Sequence, residues 1–258
     1  MYITEKQYVC ANKLLDSRTM WKIAWIERLL CIVIIAFIAL TACTPHKQKM
    51  EQSEMQAFEA FFDADGDSVS ITPRKVRTQA LQKMQEAKDS LVRYNYLAVA
   101  SKTCLMSSDI DSARLLTRQI EDFTMKQPFS AQLADLKSEC YNMKGNVYAR
   151  TGYMDSAEVY FRKAYEQRMQ GTKIEVVPDI LMNLADASNR LGKLDAGAAW
   201  YRRALILCDS LDIVSTKKPP IYYGLAQIYV ALRDFDQCDY YYNLAAGSYE
   251  SMLPFEKH

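Results

Sequence analysis

Four short words of one form recur along the chain. They are Ile110-Asp111-Ser112-Ala113, Met154-Asp155-Ser156-Ala157, Leu194-Asp195-Ala196-Gly197 and Phe235-Asp236-Gln237-Cys238. Each holds an apolar residue, an Asp, a free position and a small residue. The aspartates stand 44, 40 and 41 residues apart, and self-similarity at such a period marks a helical repeat array. Each word predicts a helix start, with Asp as N-cap accepting from the free amides of the first turn. The apolar residue should pack on the residue five further on, pairing Ile110 with Leu115, Met154 with Val159, Leu194 with Ala199 and Phe235 with Tyr240. Glu158 should close a capping box. The small residue should admit a neighbouring helix.

Composition agrees with an all-α chain. Of 258 residues, 50% are hydrophobic, with only eight Gly and seven Pro. The net charge of +1 supplies no global field toward nucleic acid or anionic lipid. The only histidines are His46 and His258, which leaves no His-based triad or metal site to build. No glycine-rich phosphate loop occurs. The chain is therefore read as non-enzymatic, with no cofactor and no metal.

The N-terminus reads as an address. Residues 29–42 are uncharged and apolar, follow Lys22 and Arg28, and end at Leu40-Thr41-Ala42-Cys43. That order of charge, apolar core and small residues is a secretory signal. Its last four residues resemble the lipobox of bacterial lipoproteins, which implies cleavage before Cys43 and lipidation there. Thr44 after the cysteine, by resemblance to lipoprotein sorting patterns, favours the outer membrane with the body in the periplasm. The competing reading is an inner-membrane signal anchor, for which the run is borderline in length. Residues 1–19 exceed what such a signal needs, and Met20 is the expected start.

Downstream of Cys43, a polar tether reaches to about Glu51, and residues 55–62 predict a short docked helix. The acidic stretch Asp63–Asp67 fails as a calcium loop, because Ser68 and Arg74 stand where Gly and Glu are required. Thr72 and Pro73 predict the start of an exposed amphipathic helix from Arg74 to Leu91, Pro being suited to the first turn. Cys104, Cys140, Cys208 and Cys238 have no zinc spacing and fall at positions expected to be buried or half-buried.

Around Asp155 the pattern widens. Tyr141, Gly145, Tyr148, Gly152, Ala157, Phe161 and Ala164 resemble the tetratricopeptide repeat consensus. Leu181, Leu184, Ala185, Gly192, Gly197, Tyr201 and Ala204 form a second copy. Tyr222, Leu225, Ala226, Tyr229, Cys238, Tyr242 and Ala245 form a third. A degenerate copy holds Leu97, Ser101, Cys104, Ala113 and Ile120. Lys144, Ser188 and Thr117 depart from the consensus, and the period exceeds 34 residues. Pro178 and Pro219 are expected at the first position of their helices. The resemblance implies a right-handed superhelical solenoid of antiparallel helix pairs.

The implied organisation is a signal peptide over 1–42, a lipid-anchored tether over 43–54 and a helical lead-in over 55–90. Repeats fill 91–252, at about 91–124, 138–171, 178–211 and 219–252, and residues 253–258 open a further repeat. The family's groove positions fall on Asn142, Asn146, Arg150, Met182, Asp186, Asn189, Arg190, Tyr223, Gln227 and Val230. They imply a protein or peptide ligand. The carboxylate clamp of chaperone-binding members is not reproduced. Asn146 and Asn183 match its asparagines, but Asn142, Pro220 and Gly224 occupy its cationic places. Tyr222, Tyr229 and Tyr242 are expected in the core, with Tyr223 and Tyr241 freer. An uncapped C-terminal end should expose an apolar patch suited to self-association. The leading expectation is a periplasm-facing, lipid-anchored interaction scaffold. The alternative is the sensory region of a longer signalling or transcription-regulatory protein.

Overall fold

Helix after helix follows from residue 49, because the prolines among the described residues lie in loops or first turns. The computed structural model describes residues 49–62, 72–212 and 217–252. The signal segment, Cys43, the acidic stretch and residues 253–258 lie outside them. Two units are distinguished, Met1–Gln56 and Ala57–His258. In the first, residues 49–56 are helical, including the end of the expected tether. The rest of the description concerns the second.

Helix α1 covers residues 49–62. It is followed by α2 (Pro73–Glu86), α3 (Ser90–Met106), α4 (Ile110–Thr124), α5 (Ala131–Arg150), α6 (Met154–Arg168), α7 (Val177–Arg190), α8 (Leu194–Ser210), α9 (Lys218–Ala231) and α10 (Phe235–Met252). Among the described residues there is no strand, and no helix is long and apolar enough to cross a membrane. From α2 onward each helix packs on the next. In addition α3 touches α5 and α7 touches α9, the contact pattern of stacked helical hairpins.

The hairpin turns share one geometry. Ser108, Gly152, Gly192 and Arg233 adopt φ of 57°, 87°, 72° and 59°. The next amide donates back to the carbonyl five residues earlier: Asp109 to Cys104, Tyr153 to Tyr148, Lys193 to Ser188 and Asp234 to Tyr229, at 2.9–3.0 Å. This is a Schellman closure, which satisfies a stray carbonyl and reverses the chain. The following helix then opens at once, on the apolar residue of each word.

The predicted caps are thereby displaced. Asp111, Asp155, Asp195 and Asp236 sit inside the first turn, where a negative charge still suits the helix dipole. The N-cap is two residues earlier. Only Asp109 and Asp234 cap with their side chains, accepting from Ser112 N at 3.2 Å and Gln237 N at 3.1 Å. The staple pairs also fail. Leu115, Val159, Phe235 and Tyr240 are exposed, because residues five apart on a helix point roughly 140° apart. Glu158 closes no capping box. It is buried, accepts from Ser188 Oγ at 3.3 Å and pairs with Lys193, tying α6 to the α7–α8 turn.

The small positions behave as expected. Ala113 and Ala157 are fully buried. A Cβ on Gly197 would meet Ile228 at 3.0 Å and the Ala185 carbonyl at 3.1 Å. A Cβ on Gly145 would come within 2.5 Å of the Phe161 ring. Successive clusters fill the stack. Leu97, Ile120, Leu136 and Met143 join α3 to α5; Phe161, Leu184 and Ala187 join α6 to α7; Leu181, Tyr201, Ile221 and Leu225 join α7 to α9. Cys104, Cys140 and Cys208 are buried free thiols and Cys238 is half-buried. Burial pushes the Cys140 thiol up to about 12, so it acts as an apolar filler.

The lead-in differs from its expected form. Helix α2 ends at Glu86, and Asp89 caps α3 by accepting from Val92 N at 2.9 Å, so Leu91 belongs to α3. Val76 and Ala80 are fully buried, which makes α2 a packed helix rather than an exposed one. Phe58 and Phe61 dock edge-on against Tyr96, with ring centroids at 5.0 and 5.5 Å. Pro178 and Pro219 fall one residue later than expected, still within their first turns.

One polar clasp holds α5 to α6 and to the loop that leads into α7. The Asp135 carboxylate accepts from Arg168 Nη1 at 2.9 Å, Thr172 Oγ1 at 2.6 Å, Thr172 N at 2.9 Å and Lys173 N at 3.3 Å. Arg168 Nε donates to Ser138 Oγ at 3.1 Å, and Ser138 in turn donates to the Ala164 carbonyl at 2.8 Å. The Arg168 and Asp135 side chains are 4% and 10% exposed. Removing one partner of such a pair strands a buried charge. Asp135→Ala should lower stability by about 3–5 kcal/mol in urea titrations, whereas Asp155→Ala should cost under about 1 kcal/mol. Equal losses would return the Asp155 word to a capping role.

Candidate functional site

A cleft of about 190 Å³ opens where α5, α6 and α7 meet. Three- and four-residue spacing brings its walls together. Asn146, Ala149 and Arg150 line it from α5; Asn183, Asp186, Ala187 and Arg190 line it from α7. Met154 and Phe161 of α6 complete the apolar floor. Asn183 Nδ2 donates to Asn142 Oδ1 at 2.9 Å, a direct bond between α5 and α7. Asn146 Nδ2 donates to the Asn142 carbonyl at 2.9 Å.

One wall carries a coupled pair. Tyr201 of α8 is 3% exposed and its hydroxyl donates to Asp186. Gly224 of α9 leaves the room for that ring, since any Cβ there would strike it. Burial, then the Asp186 charge, drives the Tyr201 hydroxyl upward, so it stays a donor. Solvent reaches Asp186 along the cleft, yet the crowded helices desolvate its carboxyl and raise its pKa. The Tyr201 hydrogen bond and the Arg190 charge offset part of that rise.

Four groove positions read from sequence, Asn146, Arg150, Asp186 and Arg190, meet in this cleft. Asn142 stands beside it through Asn183. Met182 instead packs against the Leu181–Tyr201 cluster. Asn189 is half-buried and does not line the cleft. Tyr223, Gln227 and Val230 are exposed on α9, one repeat further along. Asn183 was considered only as a clamp residue. Its place three residues before Asp186, on one helical face, is the signal that puts it here. Among the described residues no group of His, Cys, Asp or Glu could hold a metal ion.

The aromatic end departs from expectation at two rings, since Tyr241, expected to be freer, is packed on the core and Tyr242, expected in the core, is not. Tyr241 stacks on Tyr229 with centroids 5.5 Å apart, while Tyr242 is 56% exposed. Its counterparts Phe161 and Tyr201 are each 3% exposed. A following helix covers those two, and none among the described residues covers Tyr242.

The tetratricopeptide repeat family model matches residues 138–168 and 219–251. These stretches are tetratricopeptide repeats. The first contains α6 and most of α5; the second contains α9 and nearly all of α10. BtubC (BKLC) from P. vanneervenii, known from a crystal structure, is similar in fold. It is 20% identical, with a TM-score of 0.56 over 78% of this chain and 77% of its own. No curated protein matches in sequence. Tetratricopeptide repeats in general present extended concave surfaces to other proteins.

The raised Asp186 pKa has a signed consequence. The folded chain holds the Asp186 proton more tightly than the unfolded chain does. This group's contribution to stability therefore falls as pH rises from 3.8 through the folded value. The stability of Asp186→Asn relative to the parent should increase across that window and then stay level to pH 7. Urea midpoints against pH measure it, and a relative stability that decreases would contradict the desolvated carboxyl.

Proposed function

We propose that the chain is a non-catalytic interaction scaffold, lipid-anchored through Cys43, that presents its repeats to the periplasm and takes a peptide or helix of another protein. The observation that carries the binding reading is the cleft shared by α5 and α7, with polar walls over an apolar floor. Such a combination suits an extended or helical segment, whose backbone meets the amides and whose side chains enter the floor. The lipobox at Leu40–Cys43 supports the anchor, and two or more acyl chains hold a protein stably on a membrane. The uncovered Tyr242, with Phe235 and Tyr240 exposed on the same helix, supports self-association as a second contact. The alternative, a sensory region of a longer regulatory protein, would be favoured by a reading frame that continues past His258.

Capture from envelope extract by the full chain tests the groove. Asn146→Ala/Asn183→Ala should reduce the captured partner by about tenfold, as expected for loss of one to two net hydrogen bonds. Unchanged capture would move the site elsewhere. Radioactive palmitate should label the parent and not Cys43→Ala, and an unlabelled parent would remove the anchor.

A further inference from the structure

We propose that the α5–α7 cleft selects peptide segments that carry a carboxylate, gripped between the guanidinium groups of Arg150 and Arg190. This rests on the groove reading above and names the chemistry of its ligand.

Both arginines line the same cleft and both are exposed. Among the described residues neither has an acidic group within ion-pair distance and neither donates a hydrogen bond. By contrast, Arg168 pairs with Asp135, Lys144 with Glu121, Lys193 with Glu158 and Lys217 with Asp179. A cation in the last turn also suits the helix dipole. That accounts for an arginine at the end of α5 and of α7, but not for their convergence on one cavity. The charge is local as well. The equivalent positions of the first and last hairpins are Met106 and Ala231, so only the junction of the second and third hairpins presents two guanidiniums.

The remaining lining fits the same ligand. Arginine forks bind carboxylates with two parallel hydrogen bonds, and partial desolvation strengthens them. Asp186 is the one carboxylate lining the cleft, and its oxygen is already taken by the Tyr201 hydroxyl. Two guanidiniums against one engaged carboxylate leave a net positive cleft. The apolar floor takes the methylenes that lead to the acid.

The test uses fluorescent decapeptide pools equilibrated with the full chain in mild detergent. Two pools are acetylated and amidated, randomised around a fixed central Glu-Glu or Gln-Gln pair. A third holds Gln-Gln and a free C-terminal carboxyl. Retention of the Glu-Glu pool or the free-carboxyl pool should exceed that of the capped Gln-Gln pool by about tenfold. Which of the two is retained separates a side-chain acid from a chain end. Arg150→Ala/Arg190→Ala should abolish the preference while its circular dichroism is unchanged, and Asp186→Asn should increase it. A preference that persists without both arginines overturns the proposal. Equal retention of all three pools that is lost in Asn146→Ala/Asn183→Ala overturns it and leaves the groove reading standing. Retention of no pool overturns both.

Discussion

No helix pair in this chain can bury both of its apolar faces alone, and everything else follows from that constraint. Phe161 is covered because Leu184 and Ala187 of the next hairpin lie over it. Tyr201 is covered because Gly224 of the next hairpin has no side chain. Each aromatic ring thus depends on the hairpin that follows. At the same position in the last described hairpin, Tyr242, no described helix lies over the ring, and it is exposed. Stability is passed along the chain from neighbour to neighbour.

Apolar stacking is joined by one polar device, the Asp135 clasp. A single carboxylate holds the end of α6 through Arg168 and the loop before α7 through two backbone amides and a hydroxyl. Gly171 lets that loop close onto Asp135, since a Cβ there would collide with the carboxylate. The clasp lies near the start of α5, whereas the cleft lies near its end. A buried ion pair of this kind adds little net stability but penalises alternative arrangements, in which the charges would lie unpaired.

Much of this was readable from residues, for reasons that differ by element. The recurrence of small and aromatic residues made the repeats visible, because steric fit between stacked helices restricts those positions most. Gly152 and Gly192 advertised turns, but Ser108 and Arg233 hold the same left-handed backbone without a glycine to announce it. In all four words the cap stands two residues before the Asp, with or without a glycine, because the helix opens directly after the left-handed residue and its successor. Of the groove positions transferred by register, Asn146, Arg150, Asp186 and Arg190 lie on the faces where α5 and α7 meet. Met182 adjoins Leu181 and packs against its cluster, and Tyr223 and Gln227 lie on α9, outside the cleft. Asp135 and Arg168 were invisible. They are 33 residues apart, and Asp135 precedes the stretch that follows the repeat pattern.

The central claim is that the face shared by α5 and α7, and not the outer face of the second helices, meets the partner. Site-specific photocrosslinking in living cells tests it most directly. A photoreactive residue replacing Asn189 stands on α7 beside the cleft without removing any residue that lines it. The same residue replacing Val159 stands on the exposed side of α6. Adducts to a common partner from position 189, and none from position 159, are the predicted result. Adducts from position 159 alone would contradict the account.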